Sequence, residues 1–210
     1  MAISNYTNLQ TEIAGWLNRD DLTSVIPTFI QLAEANINRQ VRHWKMEARS
    51  SGQQSAGDQY MQIPADWLET IRLHVTSQGT SAITLTSRAA MADIRAKNED
   101  TSTVTPYLYC HADSQFELYP TPVEDTDVEL LYYQKVPALS ASNTTNWLLE
   151  EAPDVYLYGA LVHSAPYLAE DARATVWGAN YAAAVQTLNQ ASESARYSGS
   201  GMTLKLRGLG

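Results

Sequence analysis

Apolar residues near the start of the chain recur every three or four positions. Leu9, Ile13, Trp16 and Leu17 share a stripe, which predicts a short amphipathic helix ending near Asn18 or Arg19, where Asp20 and Asp21 break the pattern. A second, longer helix is predicted from Ser24 to His43. Ile26, Phe29, Ile30, Ala33, Ile37 and Val41 line one face of it, and Gln31, Glu34, Asn38 and Arg42 lie away from that face. Pro27 suits the first turn, where its missing N–H costs no hydrogen bond.

From about Trp44 to Leu139 the period changes to two. Tyr60, Gln62 and Pro64 precede a strand from Ile71 to Val75, in which Ile71, Leu73 and Val75 share a face. Ile83 and Leu85 repeat the pattern after Gln78-Gly79-Thr80-Ser81. A hairpin is predicted from Tyr107–Cys110 and Gln115–Tyr119, with His111-Ala112-Asp113-Ser114 as its turn. Val128 to Tyr133 is the last strand. A short helix from Arg88 to about Lys97 interrupts this region, with Ser87 as its N-cap.

The last third is helical again. Glu150 and Glu151 precede Pro153, and carboxylates suit the positive end of a helix. The helix predicted from Pro153 to Leu168 carries Tyr156, Ala160, Leu161 and Ser164 on one stripe, and Pro166 should kink it. The longest helix runs from Ala172 to about Tyr197, with Val176, Ala179, Ala183 and Leu188 on one side and Ala182-Ala183-Ala184 allowing a neighbouring helix to come close. The pattern reads as an α+β fold: a helical bundle formed by the N- and C-terminal helices, with an inserted, mainly antiparallel β region and an extended C-terminal tail. In residue numbers, 1–197 form one domain, with helices over 1–43, a β insertion over 44–139 and helices over 150–197.

The tail, 198–210, begins with the flexible sequence Ser198-Gly199-Ser200-Gly201. Apolar and polar or basic residues then alternate from Met202 through Leu204, Lys205, Leu206 and Arg207 to Leu209. A lone strand on a tether is not stable in water. The segment is therefore either unstructured or added to another chain by strand pairing, and the placement of its apolar residues favours the second.

Charge changes this picture in one respect. The 210 residues carry a formal net charge of −9. From Asp113 to Asp171 eleven acidic residues face one basic residue, Lys135, so this segment holds 1 − 11 = −10 and the remainder about +1. A uniformly basic grip on nucleic acid is disfavoured, since such binding neutralises phosphates. Cys110 is the single cysteine, which rules out an internal disulfide and suits a reducing compartment. The start of the chain lacks a signal-peptide pattern, and no uncharged apolar run approaches the roughly 18 residues of a membrane span. A soluble protein made in the cytoplasm is expected, with no membrane partner.

Catalytic patterns are missing. His43, His74, His111 and His163 are scattered, without spacing suited to a shared metal. Cys110 and His111 are strand neighbours and point to opposite faces, which prevents a direct thiolate–imidazole pair. Nucleophile elbows and phosphate-binding glycine loops are lacking. The carboxylate pairs Asp20-Asp21, Glu99-Asp100, Glu124-Asp125, Glu150-Glu151 and Glu170-Asp171 flank turns and helix ends, where capping and solvation explain them. No enzyme and no cofactor is expected. One basic cluster remains: Arg39, Arg42, Lys45 and Arg49, near the end of the second helix. Cations suit a helix C-terminus; the cluster is also a candidate subunit interface for an acidic neighbour, the acidic segment of the next copy included, with DNA contact a third use.

Four stretches together resemble the tailed-phage head–tail adaptor (connector) family. They are Phe29-Ile30-Gln31-Leu32-Ala33-Glu34-Ala35-Asn36-Ile37-Asn38-Arg39; Ile63-Pro64-Ala65-Asp66-Trp67-Leu68-Glu69; Leu131 to Leu139 with Thr145-Asn146-Trp147-Leu148; and Ala152-Pro153-Asp154-Val155-Tyr156-Leu157-Tyr158-Gly159-Ala160-Leu161 with Ala165-Pro166-Tyr167-Leu168. The resemblance implies a structural protein of the virion neck, assembled as a ring of twelve under the portal protein. It also implies a downstream tail or nozzle protein as partner, and genomic DNA passing through the lumen without specific binding. The C-terminal extension of such proteins holds the portal, which assigns Met202, Leu204, Lys205, Leu206, Arg207 and Leu209 to portal binding. The alternative is another neck protein, such as a tail-completion or tail-terminator protein. A ring repeats one heterologous interface, so each copy needs two complementary surfaces, and the separated acidic segment and basic helix end supply such a pair.

Overall fold

The computed structural model describes residues 2–76, 81–97, 105–168 and 171–197. The fold is mixed α+β. The chain forms two compact units, one from residues 1–45 and 136–210, the other from 46–135.

The first unit is helical. Helix α1 spans Tyr6–Leu17; Asn5 caps it by accepting from the Asn8 N–H at 2.9 Å, and Asn18 ends it in the left-handed region (φ 52°). Leu9, Ile13 and Leu17 are buried, whereas Trp16, placed on the same stripe by its spacing, is 46% exposed and meets Tyr158 edge-on. Helix α2 spans Ile26–Gln40, shorter at both ends than expected, with Pro27 in its first turn. All six residues assigned to its apolar face are buried.

The polar face of α2 departs from the expected solvent face. Glu34 and Asn38 are half-buried because they hold the returning chain: the Leu139 N–H donates to Glu34 Oε1 at 2.7 Å and the Val136 N–H to Asn38 Oδ1 at 2.9 Å. These bonds satisfy backbone donors of an irregular segment that would otherwise be costly to bury. Helix α4 spans Trp147–Glu151 and is capped by Asn146, whose Oδ1 accepts from the Leu149 N–H at 2.9 Å. Glu150 and Glu151 therefore lie inside a short helix of their own.

Helix α5, Pro153–Leu168, packs against α1, α2 and α6. Val155, Tyr156, Leu157, Ala160, Leu161, Ser164 and Ala165 are buried, so apolar contact extends around most of its circumference, as expected of a central helix. Gly159 sits where α5 meets α2 and α6: a Cβ there would lie 3.0 Å from Ala33 Cβ and 3.2 Å from Tyr181 Cε2. Helix α6 spans Asp171–Tyr197. Its buried stripe is Trp177, Tyr181, Val185 and Ser192, which corrects the expected one. Val176 is 59% exposed, and Ala179 and Ala183 are exposed as well. The two large aromatics decide the orientation, since each buries far more area than an alanine.

The second unit is a seven-stranded sheet in the order β1-β7-β3-β4-β5-β6-β2. The strands are β1 Glu47–Gln54, β2 Tyr60–Gln62, β3 Trp67–Val75, β4 Ser81–Leu85, β5 Leu108–Ala112, β6 Gln115–Tyr119 and β7 Thr126–Gln134. All pairings are antiparallel except β4 with β5. Leu73, Val75, Ile83, Tyr109, Phe116, Leu118, Val128, Leu130 and Tyr132 form its core. Ile71 does not join them. A bulge between Thr70 and Arg72 turns Ile71 outward, and it is 40% exposed. Leu85 is likewise exposed, at the end of β4.

The β5–β6 hairpin turns more tightly than expected. Ala112 pairs with Gln115, which leaves Asp113 and Ser114 as the loop, with Asp113 at φ 58°. Helix α3, Arg88–Lys97, starts at Ser87, whose Oγ accepts from the Ala90 N–H at 3.1 Å. Its Met91 covers Cys110 and Tyr119.

Candidate interaction surfaces

The basic cluster is divided between the two units. Arg39, Arg42 and Lys45 belong to the helical unit and Arg49 to strand β1. Around the end of α2, side chains of α6 complete the backbone hydrogen bonding. Asn189 Oδ1 accepts from the Arg42 N–H at 3.1 Å and its Nδ2 donates to the Gln40 carbonyl at 3.2 Å, while Ser192 Oγ accepts from the Trp44 N–H at 2.9 Å. These contacts fix the chain leaving α2 and explain why polar Ser192 is buried.

Each cation has a local setting. Arg39 is exposed and donates to Asn36 Oδ1 at 3.3 Å. The Arg42 guanidinium curls back to the carbonyls of Asn38 and Val41 at 3.0 and 2.7 Å, where a cation meets the negative end of the helix. Lys45 pairs with Glu151 and lies 5.4 Å from the centre of the Trp44 ring. Arg49 pairs with Glu129, whose other oxygen is 3.3 Å from His74 Nε2. Two of the four cations are thus paired with carboxylates of the acidic 113–171 segment within the chain itself.

His43 stacks on Trp147 with ring centres 4.8 Å apart. Burial holds its pKa below the ordinary value; Glu151 pulls it up and Lys45 and Arg196 push it down. His163 is lowered as well, by burial and then by Arg39, and bonds to Asn36 Nδ2 at 2.9 Å. Both rings are thus held toward the neutral form. Beside Glu151, a surface groove of about 510 Å³ runs between Asp154, Tyr158, Asn180 and Thr187. Trp44 and Trp16 are each close to half exposed on this unit.

Chemistry at Cys110 is suppressed. Its thiol is buried and its pKa is raised, first by burial and then by the nearby Glu117 carboxylate, to which it points at 3.8 Å. His111, on the opposite face of β5, is exposed. Glu117 is held by Arg95 Nε at 2.8 Å, and Arg95 also donates to the Leu118 carbonyl at 2.7 Å. Among the described residues no group of three His, Cys, Asp or Glu side chains is placed to hold a metal ion, and no helix is long and apolar enough to cross a membrane.

The candidate portal-binding residues Met202, Leu204, Lys205, Leu206, Arg207 and Leu209 lie outside the described residues. Sequence reasoning missed Asn189 and Ser192, because capping by residues nearly 150 positions away leaves no local signal. It also missed β1, whose sequence Glu-Ala-Arg-Ser-Ser-Gly-Gln-Gln has no apolar alternation.

A family model described as the SU10 adaptor protein matches residues 4–204. No curated protein matches the chain.

Proposed function

The chain belongs to the SU10 adaptor protein family, a family of phage head–tail adaptors, and from that membership we propose that it is a structural adaptor of a tailed-phage virion. In this reading twelve copies form a ring that docks on the portal protein, carries a tail or nozzle protein below, and leaves a central channel for the genome. Residues 1–197 act as one adaptor domain built on a helical bundle, and residues 198–210 are the arm that engages the portal through Met202, Leu204, Lys205, Leu206, Arg207 and Leu209. The family match carries the reading, since it extends over nearly the whole chain. Surface chemistry supports it: the exposed aromatic and basic groups around Trp44 and Arg39 are suited to a partner, and aromatics with arginine are enriched at interface centres.

Arg39, Arg42, Lys45 and Arg49 are assigned to the contact between copies. No step of covalent chemistry is assigned to any residue. Acidic residues on a lumen wall repel phosphates and keep a DNA passage from becoming adhesive.

The test is reconstitution. Purified protein mixed with portal particles is expected to give a ring bound to one face of the portal in electron micrographs. Arg39→Glu is expected to reduce ring occupancy about tenfold without lowering the thermal midpoint, because Arg39 is exposed. Particles that stay bare at saturating protein would refute the adaptor reading.

A further inference from the structure

Two faces of the helical unit carry uncommitted groups of opposite kind. The first lies where α2 runs beside α5. Asn36 and His163 join the two helices at 2.9 Å, and the rings of Phe29 and Tyr167 meet edge-on with centres 5.6 Å apart. Leu32 and Arg39 stand four and three residues to either side of Asn36, which puts them on the same side of α2. Leu32 is 45% exposed and Tyr167 59%. Arg39 is exposed, donates to Asn36, and meets no carboxylate among the described residues. The other cations of the cluster in this unit are engaged, Arg42 on helix carbonyls and Lys45 on Glu151. An exposed tyrosine, a leucine and a free guanidinium on one patch are the residue types that anchor protein contacts.

The second face is the groove of about 510 Å³. Ala183, Ala184, Thr187 and Ala191 of α6 line it together with Asp154 and Tyr158 of α5. Small side chains on α6 leave room for a large one, and the volume falls within the roughly 300–1,000 Å³ of ordinary binding pockets. Of its two carboxylates, Glu151 is held by Lys45. Asp154 is exposed and has neither an ion pair nor a hydrogen bond among the described residues. Asp154 and Tyr158 precede His163 and Tyr167 on α5 by nine residues, about two and a half turns. The groove and the patch therefore lie on opposite sides of the central helix.

We infer that the groove of one copy receives the α2–α5 patch of the next copy, with Tyr167 seated against the small residues of α6 and Arg39 paired with Asp154. Charge selects this arrangement. Patch against patch sets Arg39 against Arg39, and groove against groove sets Asp154 against Asp154, whereas the unlike faces attract. Position decides what the contact builds. Because the two faces are on opposite sides of α5, a pair of copies uses one face of each and leaves the other free. Such a heterologous contact repeats from copy to copy and closes when the rotation allows. The inference rests on the ring reading and names the two surfaces of its repeated interface.

The experiment uses the full chain, both docked on portal particles and alone at high concentration. Ala35→Cys, one turn from Leu32, is combined with Ala183→Cys in the groove, and the protein is treated with a short bismaleimide. A ladder of covalent multimers is expected, whereas a chain with only one of the two cysteines stays monomeric; buried Cys110 does not compete. Adding Arg39→Glu or Asp154→Lys is expected to lower the multimer yield about tenfold, since each sets like charges together. Both changes in one chain are expected to recover most of the yield. Each change also opposes the dipole at its own helix end, and those local costs add in the combined chain, so recovery reports the contact between copies. No multimers in either setting would overturn the inference, as would parental yield in both charge variants or a combined chain no better than either. Docked protein without multimers would count against this interface alone. Multimers in solution beside bare portal particles would count against the adaptor reading alone.

Discussion

Gly159 offers a direct measure of how closely α5 approaches its neighbours. Replacing it by alanine adds one carbon at a point 3.0 Å from Ala33 Cβ and 3.2 Å from Tyr181 Cε2. Both distances are several tenths of an ångström short of ordinary carbon contact. Ala33 has no rotamer to yield, and Tyr181 is buried, so helices must separate. Overpacking of this kind costs about 1–3 kcal/mol, and alanine recovers about 1 kcal/mol of helix propensity over glycine. The net effect of Gly159→Ala is a loss of about 0–2 kcal/mol, and Gly159→Leu is expected to lose more. Gly178, on α6, is the control. A Cβ there meets nothing within 4 Å, so Gly178→Ala keeps the propensity gain of about 1 kcal/mol. At roughly 2–4 °C per kcal/mol for a chain of this size, the two thermal midpoints should differ by several degrees, with Gly178→Ala above the parent and Gly159→Ala at or below it. Circular dichroism melts check this. Equal stabilisation by both substitutions would refute the close packing of α5.

Burial raises the pKa of the Glu34 carboxyl, against the lowering effect of the Leu139 N–H and of Tyr156. An acid whose folded pKa is raised stabilises fully below its unfolded pKa, and that contribution is lost as pH rises through the folded value. Glu34→Gln is therefore expected to unfold at higher urea concentration than the parent at pH 7, with the advantage shrinking as pH falls toward 4.5. Arg95→Ala leaves Glu117, 9% exposed, without its guanidinium partner, and is expected to cost about 3 kcal/mol; Arg95→Met with Glu117→Gln should recover most of it in the same urea titration. Cys110 is expected to resist a thiol reagent at pH 8 in the native protein and to react in seconds after unfolding in urea, because its side chain is buried and its pKa raised.

Much of the helical unit was legible because its signals are local. The buried face of α2 follows from spacing alone, and Ser87 and Pro27 mark helix starts by their own chemistry. α6 failed because alanines and valine suggested one stripe while Trp177 and Tyr181, at i and i+4, defined another; the larger area wins burial. β1 was illegible for a different reason. Its residues have no strand period, and it is ordered through backbone pairing with β7, which lies more than 70 residues away. Tertiary context outweighs propensity there. The interaction residues follow the same division. The basic cluster is visible as composition, but which acid each cation meets depends on the fold.

That assignment of partners decides which charges are available to an outside carboxylate. An exposed ion pair contributes about 0–1 kcal/mol, so exchanging one carboxylate for another across an interface costs little. Lys45 beside Glu151 is of this kind, whereas Arg49, with a side chain 71% exposed, meets a Glu129 that is only 13% exposed. Arg95 and Glu117 are not: their side chains are 22% and 12% exposed, and separating them strands a charge in the sheet. The acidic segment is therefore not one electrostatic surface. Glu117 and Glu129 are committed to their own unit, whereas Glu151 holds a cation that an external carboxylate can share. Giving up such an exchangeable pair to an outside carboxylate breaks nothing that the chain needs in order to fold.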